Sequence, residues 1–175
     1  MCDLSLTILD LVMNAVQANA EHICISISAD QQKDSLSIII ADDGTGLEDT
    51  GMAVDPFFTH STQKQVGLGL PLFRYAALRT GGSFHLSSAP GRGATVEGKF
   101  LLSSLERPPL GDLAQTISVL CAGNGIRYEL TLDNSIKRET LCFTGGRIEK
   151  ADSVLKRTEE LTLKMFGGIL SEISF

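Results

Sequence analysis

The chain has 175 residues, enough for one compact domain or a domain with a small appendage. Its 43% hydrophobic and 21% charged residues are those of a globular protein rather than a disordered one. A net charge of −6 without any basic run argues against nucleic acid as a partner, since a phosphate backbone needs clustered Lys and Arg. No apolar stretch approaches bilayer length and the N-terminus lacks a signal peptide's basic start, so a cytoplasmic protein with no membrane partner is expected.

Leu4, Ile8, Leu11, Val12 and Ala15 recur at helical spacing and predict a first helix to about Ala20, capped by Asp3 or Ser5. Ile23, Ile25 and Ile27 alternate with Cys24, Ser26 and Ser28, and after a polar turn Leu36, Ile38 and Ile40 alternate again, which reads as a hairpin. The stretch from Leu47 to Val66 has no clean period and is expected to be a loop. A second helix is predicted from about Gly69 to the Gly81-Gly82 pair, a natural C-terminal stop. The strands SFHLSS and ATVEGKFLL follow, joined by the Pro90-Gly91-Arg92-Gly93 turn.

The run Arg107-Pro108-Pro109 reads as a boundary, giving a first unit at 1–103 and a second at 104–175. In the second, Leu113, Ala114, Ile117, Leu120 and Cys121 form a helical stripe. Ile126, Tyr128, Leu130 and Leu132 alternate as a strand whose expected partner is ETLCFT, and a last helix is predicted from about Ala151 with Val154, Leu155, Leu161 and Met165 inward. Two strands and two helices make a thin core, so this appendage is expected to pack on the first unit or on a second copy. The cysteines at 2, 24, 121 and 142 form no CxxC, and neither they nor His22, His60 and His85 have the spacing of a metal cage. Cys24, Cys121 and Cys142 read as small buried hydrophobes.

Four groups of residues point to chemistry. Asp10, Asn14 and Gln17 fall at i, i+4 and i+7, on one face of the first helix. Asn14 offers a neutral amide oxygen, suited to Mg²⁺ where a triphosphate supplies the negative charge. Asp10 has the position to orient a metal-bound water or act as general base. Taken alone, that row is the polar face of an amphipathic helix. After the apolar strand IIIA comes ADDGTGL, in which Asp42 is placed to accept from an exocyclic amine while Gly44 and Gly46 allow φ > 0 and close backbone approach. A plain turn gives the same letters. Gly67 and Gly69 precede a helix whose free N–H groups favour phosphate oxygens, without the Gly-Lys-Ser/Thr of a P-loop or the third glycine of a dinucleotide fingerprint. Thr95, near the start of the last strand of the first unit, is placed to support the base, or is simply a β-branched strand residue.

Order and separation link the four. The boxes DLVMNAVQANA, DDGTG, DPFFTHS and GLGL, closed by GGSFHLSSAPGRGATVEGKF, resemble the histidine-kinase-like (GHKL, Bergerat-fold) ATPase superfamily over about Leu4 to Leu102. That superfamily includes sensor kinases, gyrase, MutL and anti-sigma serine kinases. The resemblance implies an α+β fold: a Bergerat-type α/β sandwich of mixed or antiparallel sheet with helices on one face, here with a small C-terminal α+β appendage. It implies ATP and Mg²⁺ as cofactors, with Asn14 as metal ligand and Asp42 reading adenine. Gly44 and Gly46 shape the base pocket, and Gly67, Leu68, Gly69 and Leu70 bind phosphates under a lid from about Leu47 to Val66. Gln17 lies on the same helix face, Thr95 supports the base, and Lys64 is the best-placed cation for the γ-phosphate. Pro56, Phe57 and Phe58 anchor the lid.

Two departures stand out. Asp10 occupies the place of the usual Glu and is expected to slow hydrolysis. The strand that usually precedes the first box is not in the sequence, so another segment or subunit is expected to complete the sheet. The combination of DLSLTILDLVMNAVQANA with RPPLGDLAQTI further resembles small stand-alone bacterial ATP-binding proteins of the type encoded near iron-hydrogenase subunits. No histidine is followed by the acidic residue of a phosphoacceptor site, so an autophosphorylating sensor kinase is not expected. Three activities stay open: an ATP-dependent switch or slow ATPase, a protein kinase acting on a separate partner, and a non-catalytic nucleotide-gated interaction module. Residues 104–175 are assigned to docking a protein partner or a second copy.

Overall fold

The computed structural model describes residues 3–53, 68–123 and 125–170. The elements in chain order are α1 (Leu4–Gln17), β1 (His22–Asp30), β2 (Ser35–Asp42), α2 (Thr50–Ala53), α3 (Gly69–Arg79), β3 (Ser83–Ser88), β4 (Ala94–Leu101), α4 (Leu113–Cys121), β5 (Arg127–Asp133), β6 (Arg138–Thr144) and α5 (Ile148–Leu170). The strands form one six-stranded sheet in the order β3-β4-β2-β1-β5-β6. Every neighbouring pair is antiparallel except β1 and β5, which run parallel. The fold is α+β, as the pattern of alternating strands and amphipathic helices predicts.

Strand alternation divides the sheet into two unlike faces. Ile23, Ile25, Ile27, Leu36, Ile38 and Ile40 are buried on one face, continued sideways by Val96 and Phe100 on β4 and by Tyr128, Leu130 and Leu132 on β5. The helices cover this face, and Ile8, Phe73, Ile117 and Phe166 join the strand residues in a single core. Phe73 of α3 meets Phe84 and Phe100 edge-on or tilted, directly over Gly98, where a Cβ would stand 2.5 Å from the ring. The opposite face is polar and partly open to water, carrying residues such as Cys24, Ser26, Ser37, Glu97, Glu129 and Thr131.

The three hairpins and the four longer helices follow the expected pattern, with shifts at the ends, whereas the short α2 falls within the stretch expected to be a loop. Asp3 is the cap of α1: its carboxylate accepts from Leu6 N–H at 2.8 Å. Ser5 is instead buried, its hydroxyl donating to Leu110 O at 2.6 Å. The last helix begins at Ile148, three residues before the position expected.

The run Arg107-Pro108-Pro109 crosses between the two expected units without being a loose linker. Arg107 is buried, and its guanidinium donates to Leu102 O and Pro108 O. The carbonyls of Pro109 and Leu110 then accept the N–H groups of Leu4 and Ser5, 2.9 and 2.8 Å away. Those are free donors of the first turn of α1, which a helix cannot satisfy internally. Past this clamp, α4 packs on α1 and β5 lies along β1, so residues 104–170 extend the sheet and core of the first hundred. The segment that continues the sheet beyond β1 is thus β5. None of the described helices is long and apolar enough to cross a membrane.

Candidate functional site

Asp42 ends β2 and continues the row of Leu36, Ile38 and Ile40 on the helix-covered face. Burial raises its carboxyl above the ordinary aspartate value, and the N–H groups of Gly44 and Ala94 partly offset that. The Gly44 N–H donates to Asp42 Oδ1 at 2.9 Å.

The two glycines of the turn are required for different reasons. Gly46 has φ +70°, and a Cβ there would lie 2.1 Å from Ala89 O. Gly44 keeps an ordinary φ, but a Cβ would come within 2.7 Å of Ala18 O and 3.0 Å of Asp42 Oδ1. The expectation of φ > 0 therefore holds for Gly46, whereas Gly44 answers to close packing. Gly93, expected only as part of the turn before the last strand of the first unit, is a third such residue: φ is +73° and a Cβ would sit 1.9 Å from Asp42 O.

The turn is locked to α1, because Thr45 N–H donates to Ala18 O at 2.8 Å. One turn back on α1 stands Asn14, and one turn further Asp10. Asn14 is half-buried, and its amide nitrogen is buried without a hydrogen-bond partner. Such an atom costs free energy unless a ligand or water meets it. Asp10 is exposed and packs on the start of α3, where a Cβ on Gly69 would lie 3.0 Å from Asp10 Cβ. Gly69 thus lets α3 approach α1 with its first turn against Asp10. The N-cap of α3, Leu68, supplies no side-chain hydrogen bond to the first N–H groups of the helix, which have no acceptor within the helix itself and suit an anion.

Other expected site residues fall differently. Leu70 is buried in the core, so only its backbone is available to a phosphate. Gln17 is exposed on α1. Thr95 pairs with Ala41, not with Asp42, and the period of two places it on the open face of the sheet. The β4 residue beside Asp42 is Ala94, so Thr95 is not brought together with the aspartate. Lys64, Gly67 and the Pro56-Phe57-Phe58 anchor lie outside the described residues.

Asp43 is a residue that the sequence reading left unassigned. Its carboxylate accepts the N–H groups of Glu21 and His22, 2.8 and 2.9 Å away, which pins the start of β1 to the end of β2. Those bonds, the His22 N–H first, hold its carboxyl below the ordinary range. Among the described cysteines, only Cys121 is buried as expected; Cys24 is half-buried and Cys142 is exposed, because both point to the open face.

An aspartate at a strand end, a glycine turn pressed against it and a helix start beside an unpaired amide stand close together on the helix-covered side of the sheet. The comparisons give the family. The family model described as "Histidine kinase-, DNA gyrase B-, and HSP90-like ATPase" matches residues 3–104, and the chain belongs to that family. It is 30% identical over 94 residues to the sensor histidine kinase ZraS of Escherichia coli strain K12, covering 53% of this chain and 20% of that protein. ZraS of Escherichia coli O157:H7 is 30% identical over 93 residues, with 52% and 20% covered. The chain therefore spans about a fifth of the length of these relatives. Among solved structures, the N-terminal domain of a DNA repair protein is similar with TM-score 0.51 and 16% identity, covering 86% of this chain and 56% of that one. The Aquifex aeolicus MutL ATPase domain complexed with ADP matches with TM-score 0.46 and 14% identity over 87% and 68% of the two chains.

Proposed function

We propose that the protein binds ATP with Mg²⁺ in the pocket between α1, the turn after β2 and the start of α3, and acts as a nucleotide-dependent switch or slow ATPase. The observation that carries this reading is the buried amide nitrogen of Asn14, which lacks a partner on the helix face next to the start of α3. An amide there donates to a phosphate oxygen or, turned over, offers its oxygen to Mg²⁺. The anhydride of the bound triphosphate supplies the chemistry. In this reading the chain contributes recognition of adenine by Asp42, phosphate contact by the first N–H groups of α3, and a carboxylate at Asp10 to hold a water.

Asp10 is exposed and one carbon shorter than glutamate, which favours slow turnover over efficient hydrolysis. The test is calorimetry with ATP and ADP, with and without Mg²⁺, followed by phosphate release. Binding that survives Asp10→Ala while release disappears is the expected result; no measurable ATP binding overturns the reading. The identity to a sensor histidine kinase favours a second reading, phosphoryl transfer to a separate protein. It predicts transfer of a radiolabelled γ-phosphate to a partner protein, and absence of label on every candidate removes it.

A further inference from the structure

The face of the sheet that the helices leave open carries a group of side chains that the nucleotide pocket does not use. His22 and Cys24 are two residues apart on β1 and so project from the same face. Glu129 of β5 is the register partner of Cys24 across the parallel pair. The His22 Nε2 and Cys24 Sγ atoms are 3.8 Å apart, and one ligand atom from each of the three residues lies within 4.8 Å of the other two. All three are partly buried, and His22 and Glu129 line a cavity of about 210 Å³ together with Arg127, Cys142 and Thr144.

We propose that His22, Cys24 and Glu129 form a binding site for a borderline-soft divalent metal ion, with Zn²⁺ the best match. The distances suit such an ion. Zinc takes a nitrogen at about 2.0–2.1 Å and a sulfur at about 2.3 Å in tetrahedral array, which puts the two ligand atoms roughly 3.6 Å apart. The imidazole and thiol are already near that separation, and Glu129 brings a long, rotatable carboxylate to close the third side. A nitrogen, a sulfur and an oxygen ligand together select against Mg²⁺ and Ca²⁺, which take oxygen. On binding, the Cys24 thiol releases its proton to solvent and ligates as thiolate, His22 ligates as neutral imidazole, and the thiolate and carboxylate together balance the divalent charge. Three protein ligands leave one coordination position open towards the cavity.

Cys142 does not complete the set. It pairs with the far side of Glu129, two strand spacings from Cys24, or about 9–10 Å between backbones. That separation also rules out a disulfide between the two cysteines. The site lies on the opposite face from Asp42, but Asp43 accepts the backbone N–H of His22 itself. One strand end thus touches both.

The test uses the full chain, reduced and stripped with chelator, titrated with Co²⁺ as a spectroscopic stand-in for Zn²⁺. The expected result is a thiolate-to-cobalt charge-transfer band that saturates at one Co²⁺ per chain, bleaches on adding Zn²⁺ and is indifferent to Mg²⁺. Cys24→Ser abolishes the band while circular dichroism stays native. His22→Ala and Glu129→Gln weaken binding by about tenfold or more, since loss of even an outer partner of a metal ligand costs about 10–100-fold. Cys2→Ser, Cys121→Ser and Cys142→Ser keep the band. No charge-transfer band, or one that survives Cys24→Ser, overturns the proposal. ATP binding is read separately, so the outcome does not depend on the nucleotide pocket.

Discussion

Asp42 combines two demands that pull its proton in opposite directions. Burial raises its carboxyl, so the folded-state value lies above the unfolded one. Between the two values the folded chain holds more protons than the unfolded chain, and the contribution of Asp42 to stability falls as pH rises through the folded value. The proposed recognition of adenine runs the other way. An exocyclic amine needs the carboxylate, so ATP affinity is expected to fall as pH drops through the raised value. Asp42→Asn keeps the size of the side chain and removes its charge. A hydrogen bond to a charged group contributes about 1.5–3 kcal/mol, so the variant should bind ATP about 10–100-fold more weakly. Its remaining affinity should lose the part of the acid-range pH dependence that Asp42 contributes, leaving that of ATP itself. Calorimetry across pH checks both, and an Asp42→Asn protein with unchanged affinity would remove adenine reading from this residue. The aspartate and its two glycines were legible in the letters, because strand, acid and Gly-x-Gly come in order. The role of Asp43 was not, since its partners are backbone N–H groups of Glu21 and His22, distant in the chain, and Gly93 was legible as a turn residue but not as the one pressed against Asp42 O.

At the scale of elements, the periodicities of 3.6 and 2, together with glycine and proline punctuation around α3 and β4, located every described helix and strand of eight or more residues from local sequence. What they left undecided was where a residue one step along a strand ends up. Thr95 illustrates this: its register with Ala41, fixed by pairing with β2, turns it to the open face. His22 and Cys24 are the converse. Their spacing is no metal signature, and only the parallel pairing with β5 brings Glu129 beside them. The start of α1 shows how an element depends on a distant segment. Gly111 has φ +78°, and a Cβ there would stand 2.3 Å from Asp3 Cγ, the cap of the helix. Gly111→Ala therefore meets backbone strain and a displaced cap together. Loss of a cap costs about 1 kcal/mol, and a left-handed alanine roughly 1–2 kcal/mol. A destabilisation of about 2–3 kcal/mol is expected, seen as a lower urea midpoint with unchanged slope. A midpoint equal to that of the natural chain would show that the contact between residues 109–111 and α1 contributes little.

The whole molecule is joined across the expected boundary at residue 103 by three links: carbonyls 109 and 110 on α1, α4 on α1, and β5 on β1. The Arg107-Pro108-Pro109 punctuation suggested a boundary there; the sheet and the core run across it. A fragment of residues 1–103 would leave β1 as a nine-residue edge strand, with Ile23, Ile25 and Ile27 stripped of Tyr128, Leu130 and Leu132 beside them. Such an edge pairs readily with other chains. The first turn of α1 would also lose the acceptors of Leu4 and Ser5 N–H. The full chain is thus expected to unfold in urea as one transition, coincident by far- and near-ultraviolet circular dichroism. The 1–103 fragment should aggregate or unfold without a cooperative transition, although it holds Asp10, Asn14, Asp42 and the glycine turn. A fragment that unfolds sharply and binds ATP like the full chain would mean that residues 104–175 form a separable unit. If the fragment fails to fold, any docking role of those residues is exercised by elements that also hold up the proposed nucleotide site. A partner bound on β6 or α5 would then act on the sheet that carries Asp42, through β5 and β1.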